Sequence, residues 1–163
     1  MRSILLSTWT LFFGFIFICL GHGLQGSLLG IRATIEGFSF ITTGLIIAGY
    51  FIGYLLGSFL IPVFLKKVGH IRVFAALASL ASIAILLHSI FVNPFYWFFI
   101  RILTGLSLAG IYIIMESWLN DRANNYNRGS LLSIYFIVIF LFSGLGNFLL
   151  NLSDPLKVDL FIL

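Results

Sequence analysis

The stretch FLIPVFLKKVGHIRVFAAL, Phe59 to Leu77, sets Lys66, Lys67, His70 and Arg72 around a glycine, Gly69, between two long apolar runs. Outward from this island the charges stop. No Asp, Glu, Lys or Arg occurs between Glu36 and Lys66 or between Arg72 and Arg101, and the same holds between Arg2 and Arg32 and between Arg128 and Asp154. Each window exceeds the ~20 apolar residues that carry a helix across a hydrocarbon core of ~30 Å. A further span joins FYWFFI to the run ending at Glu116, because VNPF at Val92 to Phe95 supplies a turn. Proline lacks a backbone donor and disfavours helix in the residue before it.

Composition agrees. Hydrophobic residues make up 61% of the chain and charged residues 9%, with a mean hydropathy of +1.15, far from the ~25% charged of a soluble domain. The reading is an all-α, polytopic membrane protein with about five transmembrane helices, over 4–26, 38–64, 72–92, 95–116 and 129–151. Unbroken runs of this length lack the alternation of barrel strands, and lipid tolerates no unpaired backbone group. The first run is longer than the ~7–15 apolar residues of a secretory signal, and no small-residue cleavage site follows it.

The cations set an orientation. Arg2, the island, and Arg122 with Arg128 fall on one side if the chain alternates, against Arg32 and Lys157 on the other, where Glu36, Asp154 and Asp159 partly balance them. An excess of Lys and Arg marks the cytoplasmic side, so the amino terminus and the island are expected there. The sequence pI near 9.5 reflects this asymmetry, and no soluble basic face exists to bind nucleic acid. The single cysteine, Cys19, lies inside a span, which leaves no disulfide framework, metal spacing or cofactor set. Without an H-E-x-x-H pattern, clustered intramembrane carboxylates or a nucleophile elbow, an enzyme is not expected.

Small and polar residues are patterned within the spans. GYFIGYLLG puts Gly49, Gly53 and Gly57 at i, i+4 and i+8, a strip along which another helix can approach; it serves tight packing or a sliding surface. His88, in an Ala- and Ser-rich third span, reads as a hydrogen-bonded packing group. In the fourth span Arg101, Gly105, Tyr112 and Glu116 fall within about 60° of one another at 100° per residue. An ionisable group about two turns inside a span is a functional candidate, or else it snorkels to the interface. In the fifth span Ser133, Gly144, Asn147 and Asn151 share another face within about 60°, expected to meet the protein interior or a wet cavity because buried amides need partners. His22, Gln25 and Arg32 bring polar groups to the outer half of the first span. They either staple helices or touch a substrate. Glu116 is within plausible reach of the island, where an ion pair would tie the fourth span to the joint before the third.

The spacing Arg101-Ile-Leu-Thr-Gly105 resembles the R-x-x-x-G signature of the fourth helix of the major facilitator superfamily (MFS). With GLQGSLLGIRA, VGHIRVFAALASLAS, RILTGLSLAGIY and ESWLNDRANNYNRGSLLSIY, it resembles the YcaD-like branch over nearly the whole chain. The resemblance implies the amino-terminal half of a twelve-helix secondary transporter, with alternating access around a midplane site. It also implies that the first, second, fourth and fifth helices line the cavity while the third is peripheral. The candidate substrate or coupling residues are then Arg101, Gly105, Tyr112, His22, Gln25 and Asn147. The candidate cytoplasmic gate is Lys66, Lys67, Gly69, His70 and Arg72 with Glu116.

Between the second and third helices the resemblance implies a glycine, then after three residues an acid that helps latch the two halves, a basic residue, one variable position, a second glycine and further basic residues. The island departs from this pattern. Lys67 and Gly69 match it, but the first glycine falls on Pro62, the acid on Lys66 and the next basic position on His70, with Arg72 displaced. A latch built on that acid cannot operate here, and a basic cluster meeting Glu116 or a helix carbonyl end takes its place. Residues 1–151 read as the family's transmembrane domain and 152–163 as an outer loop with the start of a truncated sixth helix. The expectation is a fragment, a truncated product or a chain with an obligate partner being the other options. The implied function is secondary active transport of a small solute across the inner (plasma) membrane, with a proton as candidate coupling ion and a missing carboxy-terminal half or partner chain. The alternative is a non-transporting membrane-assembly protein or an inactive fragment.

Overall fold

A computed structural model describes residues 2–157 and 159–162, with side chains from Trp9 onward. The chain is all-α: α1 (Arg2–Ile35), α2 (Phe40–Val68), α3 (His70–Ile90), α4 (Pro94–Arg122) and α5 (Arg128–Phe148), then a 3-10 turn (Leu149–Leu152) and a last helical turn, α6 (Asp159–Ile162). Among the described residues there is no strand. Among the described residues, five helices are long and apolar enough to cross a membrane. The 29 residues of α2 and of α4 reach about 44 Å, so both outlast a hydrocarbon core of ~30 Å. The 21 residues of α3 reach about 32 Å, enough to span it once.

The helix ends follow from local chemistry. At the end of α1, the Gly37 N–H donates to Thr34 O at 3.1 Å and the Phe38 N–H to Ala33 O at 2.9 Å, with Gly37 at φ 75°. That pair of bonds is the Schellman stop, which needs a residue without a Cβ at the positive-φ position. Helix α1 therefore continues nine residues past the apolar core of the first span, to an Arg32–Glu36 ion pair of 2.7 Å. Ser39 caps α2 by accepting from the Thr42 N–H at 3.1 Å. Asn93 caps α4 by accepting from the Tyr96 N–H at 3.2 Å, and Pro94 occupies the first helical position, where its missing N–H costs nothing. The α4–α5 connection is held by amides: Asn124 Oδ1 accepts from the Tyr126 and Asn127 N–H groups, both at 3.1 Å.

The cationic island is almost wholly helical. Lys66 and Lys67 form the last turn of α2, where cations face the negative end of the helix, and His70 opens α3. Only Gly69 separates them, at φ 90°, its N–H donating to Leu65 O at 3.0 Å. A loop of about seven residues, expected where charge interrupts the apolar pattern, shrinks to one residue because solvated lysines leave a helix intact and glycine permits the reversal.

The chain packs as two compact units, Met1–Leu29 with Glu116–Phe161, and Gly30–Met115. In the first, α1 and α5 cross backbone to backbone: a Cβ at Gly23 would overlap the Ser143 carbonyl, and one at Gly146 the Leu20 carbonyl. Phe15 stacks on Tyr135 beside this crossing, centroids 5.5 Å apart. In the second unit α2 and α4 do the same. A Cβ at Gly53 would overlap the Ile102 carbonyl, and one at Gly105 the Tyr50 carbonyl. Gly49 and Gly57 extend the contact one turn either way, each 2.8 Å from a carbonyl oxygen of α4 (Phe98 and Leu106) if given a Cβ. Dispersion between close backbones replaces the hydrophobic effect, which lipid tails do not supply. Helix α3 joins this unit through His88, which meets the fully buried Trp97 of α4 at 5.8 Å. Phe38 contacts the same indole at 5.4 Å.

Candidate functional site

The second unit places one charge inside its apolar body. Arg101, two turns into α4, is 5% exposed, and its guanidinium carbon lies 4.9 Å from the centroid of the Tyr50 ring on α2. Gly105 makes this possible. One turn along α4 from Arg101, it lets the backbone of Tyr50 come into contact, which swings that ring under the guanidinium. The aromatic surface continues from Tyr50 to Tyr54 at 6.0 Å and from Tyr54 to Tyr112 at 6.5 Å.

Hydrogen bonding leaves the arginine incomplete. Its Nε and Nη1 are enclosed and have no hydrogen-bond partner among the described residues. The buried hydroxyls nearby in sequence are committed to their own helix, Thr104 to Ile100 O at 3.1 Å and Ser107 to Leu103 O at 2.8 Å. Residues 37–115 contain no Asp or Glu. The single acid of this unit, Glu36, is paired with Arg32 at 2.7 Å. A cation–π contact contributes about 0.5–2 kcal/mol, whereas an uncompensated buried charge costs several. The Tyr50 ring therefore offsets only part of the cost. The side chain is enclosed by the protein, 5% exposed.

The other candidates fall in distinct places. Gln25 of α1 is 2% exposed, and neither its Oε1 nor its Nε2 has a partner among the described residues. His22 is half-buried on the same helix. Asn147 of α5 is exposed; it accepts from the Ser27 hydroxyl and donates to Ser143 O at 3.0 Å. Ser133, Gly144 and Asn151 are exposed as well. Lys66, Lys67 and Arg72 are exposed and His70 is half-buried. Glu116 accepts from the Tyr135 hydroxyl at 3.1 Å, linking α4 to α5.

Arg101, Gly105 and Tyr112 thus share one unit with Tyr50 and Tyr54, while His22, Gln25, Asn147 and Glu116 belong to the other. The two α2 tyrosines are not among the sequence candidates. Their signal is present in GYFIGYLLG, where each tyrosine follows a glycine of the strip, but periodicity alone does not say that the ring beside a close contact reaches across it. His88 keeps its packing role, with Nδ1 2.7 Å from Ala84 O and Nε2 unpartnered among the described residues.

Comparison with known proteins follows from this geometry. The sequence profile of the Major Facilitator Superfamily matches residues 11–152. Among curated proteins, an uncharacterized MFS-type transporter of Yersinia pestis (strain Pestoides F) is 30% identical over 109 residues, covering 67% of this chain and 28% of the relative. The uncharacterized MFS-type transporter YcaD of Salmonella newport (strain SL254) is 26% identical over 108 residues, covering 66% of this chain and 28% of its own length. The chain therefore matches less than a third of the length of these relatives. No solved structure matches it.

Proposed function

Because the chain belongs to the Major Facilitator Superfamily, we propose that it acts as part of a secondary active transporter, carrying a small solute by alternating access between two sets of helices. The observation that carries this reading is two buried side chains with unmet hydrogen-bonding atoms, Arg101 at Nε and Nη1 and Gln25 at Oε1 and Nε2, set in helices long and apolar enough to span a bilayer. Polar groups left incomplete inside a membrane protein mark a place where something else completes them.

Arg101, Gly105 and Tyr112 serve as substrate or coupling residues in one unit, and His22, Gln25 and Asn147 in the other. The amino terminus and the Lys66–Arg72 island face the cytoplasm of a cell whose plasma membrane holds the protein, in keeping with the excess of cations on that side. Lys66, Lys67, His70 and Arg72, hinged at Gly69, act with Glu116 as the cytoplasmic gate.

Uptake tests the proposal. The chain is co-expressed with the helices that its relatives carry beyond the matched region, and labelled solutes are offered to membrane vesicles. Saturable accumulation above the vector control, reduced by Arg101→Ala at equal protein level, is expected. Accumulation of no solute, with both parts present in the membrane, removes the reading.

A further inference from the structure

The charge balance around Arg101 says more about the solute than the family does. We propose that the site takes a small monoanionic organic acid, its carboxylate completing the Arg101 guanidinium and its body lying against the tyrosines of α2 and α4. This deepens the transport reading and rests on it for the fate of the ligand, though not for its binding.

Three observations within the unit Gly30–Met115 lead there. First, Arg101 is enclosed, with Nε and Nη1 both lacking partners. A guanidinium presents planar, forked donors that match a carboxylate, whereas an ammonium or a neutral solute gives those donors nothing to hold. Second, no acid in the unit is free to serve instead, since residues 37–115 contain none and Glu36 is engaged by Arg32. The counter-charge is missing from the protein and a ligand can bring it. Third, the charge to be matched is single. Arg72 lies at the opposite end of α3 from His88 and its neighbour Trp97, 16 positions along the helix or about 24 Å, and Lys66 and Lys67 sit at that same far end, in the last turn of α2. One uncompensated positive charge forms a neutral pair with a carboxylate, while a phosphate dianion would carry a net negative charge into the apolar interior.

Tyr50 covers one face of the guanidinium, and the edge donors Nε and Nη1 are enclosed with no partner among the described residues. Tyr54 and Tyr112 continue the ring surface at 6.0 and 6.5 Å spacings, a wall suited to a flat apolar body.

Benzoate is the probe, with benzamide as its neutral isostere and chloride as the inorganic anion. The full chain is placed in phosphatidylcholine nanodiscs, and binding is followed by saturation-transfer NMR on the probe and by the thermal unfolding midpoint. Millimolar benzoate is expected to bind and to raise the midpoint, while benzamide and chloride do neither. Arg101→Gln should weaken benzoate binding about 10- to 100-fold, the loss of a charge-assisted hydrogen-bonded pair, and Arg101→Lys should keep part of it. The comparison of benzoate with benzamide on the unaltered chain needs no variant to fold. Equal binding of the two, no benzoate binding, or benzoate binding unchanged by Arg101→Gln overturns the proposal. Uptake separates it from the transport reading: benzoate binding without uptake supports the anion site and removes transport, whereas saturable uptake of a neutral solute untouched by benzoate does the reverse.

Discussion

The guanidinium of Arg101 lies 4.9 Å from the ring centroid of Tyr50, one helix away. The contact exists because Gly105 lets α2 and α4 meet at their backbones. Sequence neighbours on α4 thus divide the work, one carrying charge and the other making room for its aromatic support. Tyr50→Leu should destabilise the chain by about 1–2 kcal/mol, the cation–π contribution at a desolvated site. Tyr50→Phe, which keeps the ring, should lose less than half of that. Unfolding midpoints in detergent compare the two, and equal losses would place the effect in the hydroxyl instead of the ring.

Two glycines of α2 form an internal control. A Cβ at Gly53 would overlap the Ile102 carbonyl, whereas one at Gly44 meets nothing within 4 Å. Gly53→Ala should cost about 1–3 kcal/mol because the helices must separate. Gly44→Ala should be neutral or gain up to about 1 kcal/mol from helix propensity. Thermal unfolding of both variants gives the answer, and a similar shift for the two would show that the strip is not a close-packed seam.

Gly69 is a backbone test with no steric component. A Cβ there meets open space, yet its φ of 90° is strained for any residue that has one. Gly69→Ala should cost about 1–2 kcal/mol, read as the unfolding midpoint. If the midpoint does not move, the α2–α3 joint does not depend on that conformation.

Tyr135 donates to Glu116 at 3.1 Å. Tyr135→Phe should lose about 0.5–1.5 kcal/mol, the net value of one such bond. Glu116→Gln keeps an acceptor and should be milder in stability. If the proposed gate works through this carboxylate, Glu116→Gln will nonetheless change transport or the inward–outward balance, and an unchanged value of both would remove Glu116 from the gate.

Trp97 is fully buried and its Nε1–H donates to Phe91 O at 2.9 Å, closing the α3–α4 turn. Trp97→Phe should destabilise by about 1–3 kcal/mol, from the volume lost at a fully buried indole and the loss of one hydrogen bond. Near-UV circular dichroism and the melting midpoint check it, and an unchanged midpoint would mean that neither the indole's volume nor its bond to Phe91 holds the turn.

Much of the fold is legible in the sequence. The long windows without charge mark the spans, and VNPF marks the α3–α4 turn, with Asn93 and Pro94 in their capping positions. The island was harder to read. Lys66, Lys67 and Arg72 signal an aqueous edge, but an aqueous edge is not a helix end, and the backbone runs on to Val68 before Gly69 turns it. The α5 stripe shows the same limit. Asn147 and Asn151 declare a polar face, while whether that face is covered depends on what stands beside it.

The sequence by itself determined that this chain is helical and lives in lipid, because both conclusions rest on the cost of charge and of unpaired backbone groups in hydrocarbon, which is additive along the chain. It also placed Arg101 inside a span. Only the tertiary structure decided that Arg101 folds over Tyr50 with two donors unmet, and that Gly105 serves as the close-contact point beneath it. Those facts depend on which carbonyl of α2 faces which glycine of α4. That is a matter of register between helices, and no single helix carries it.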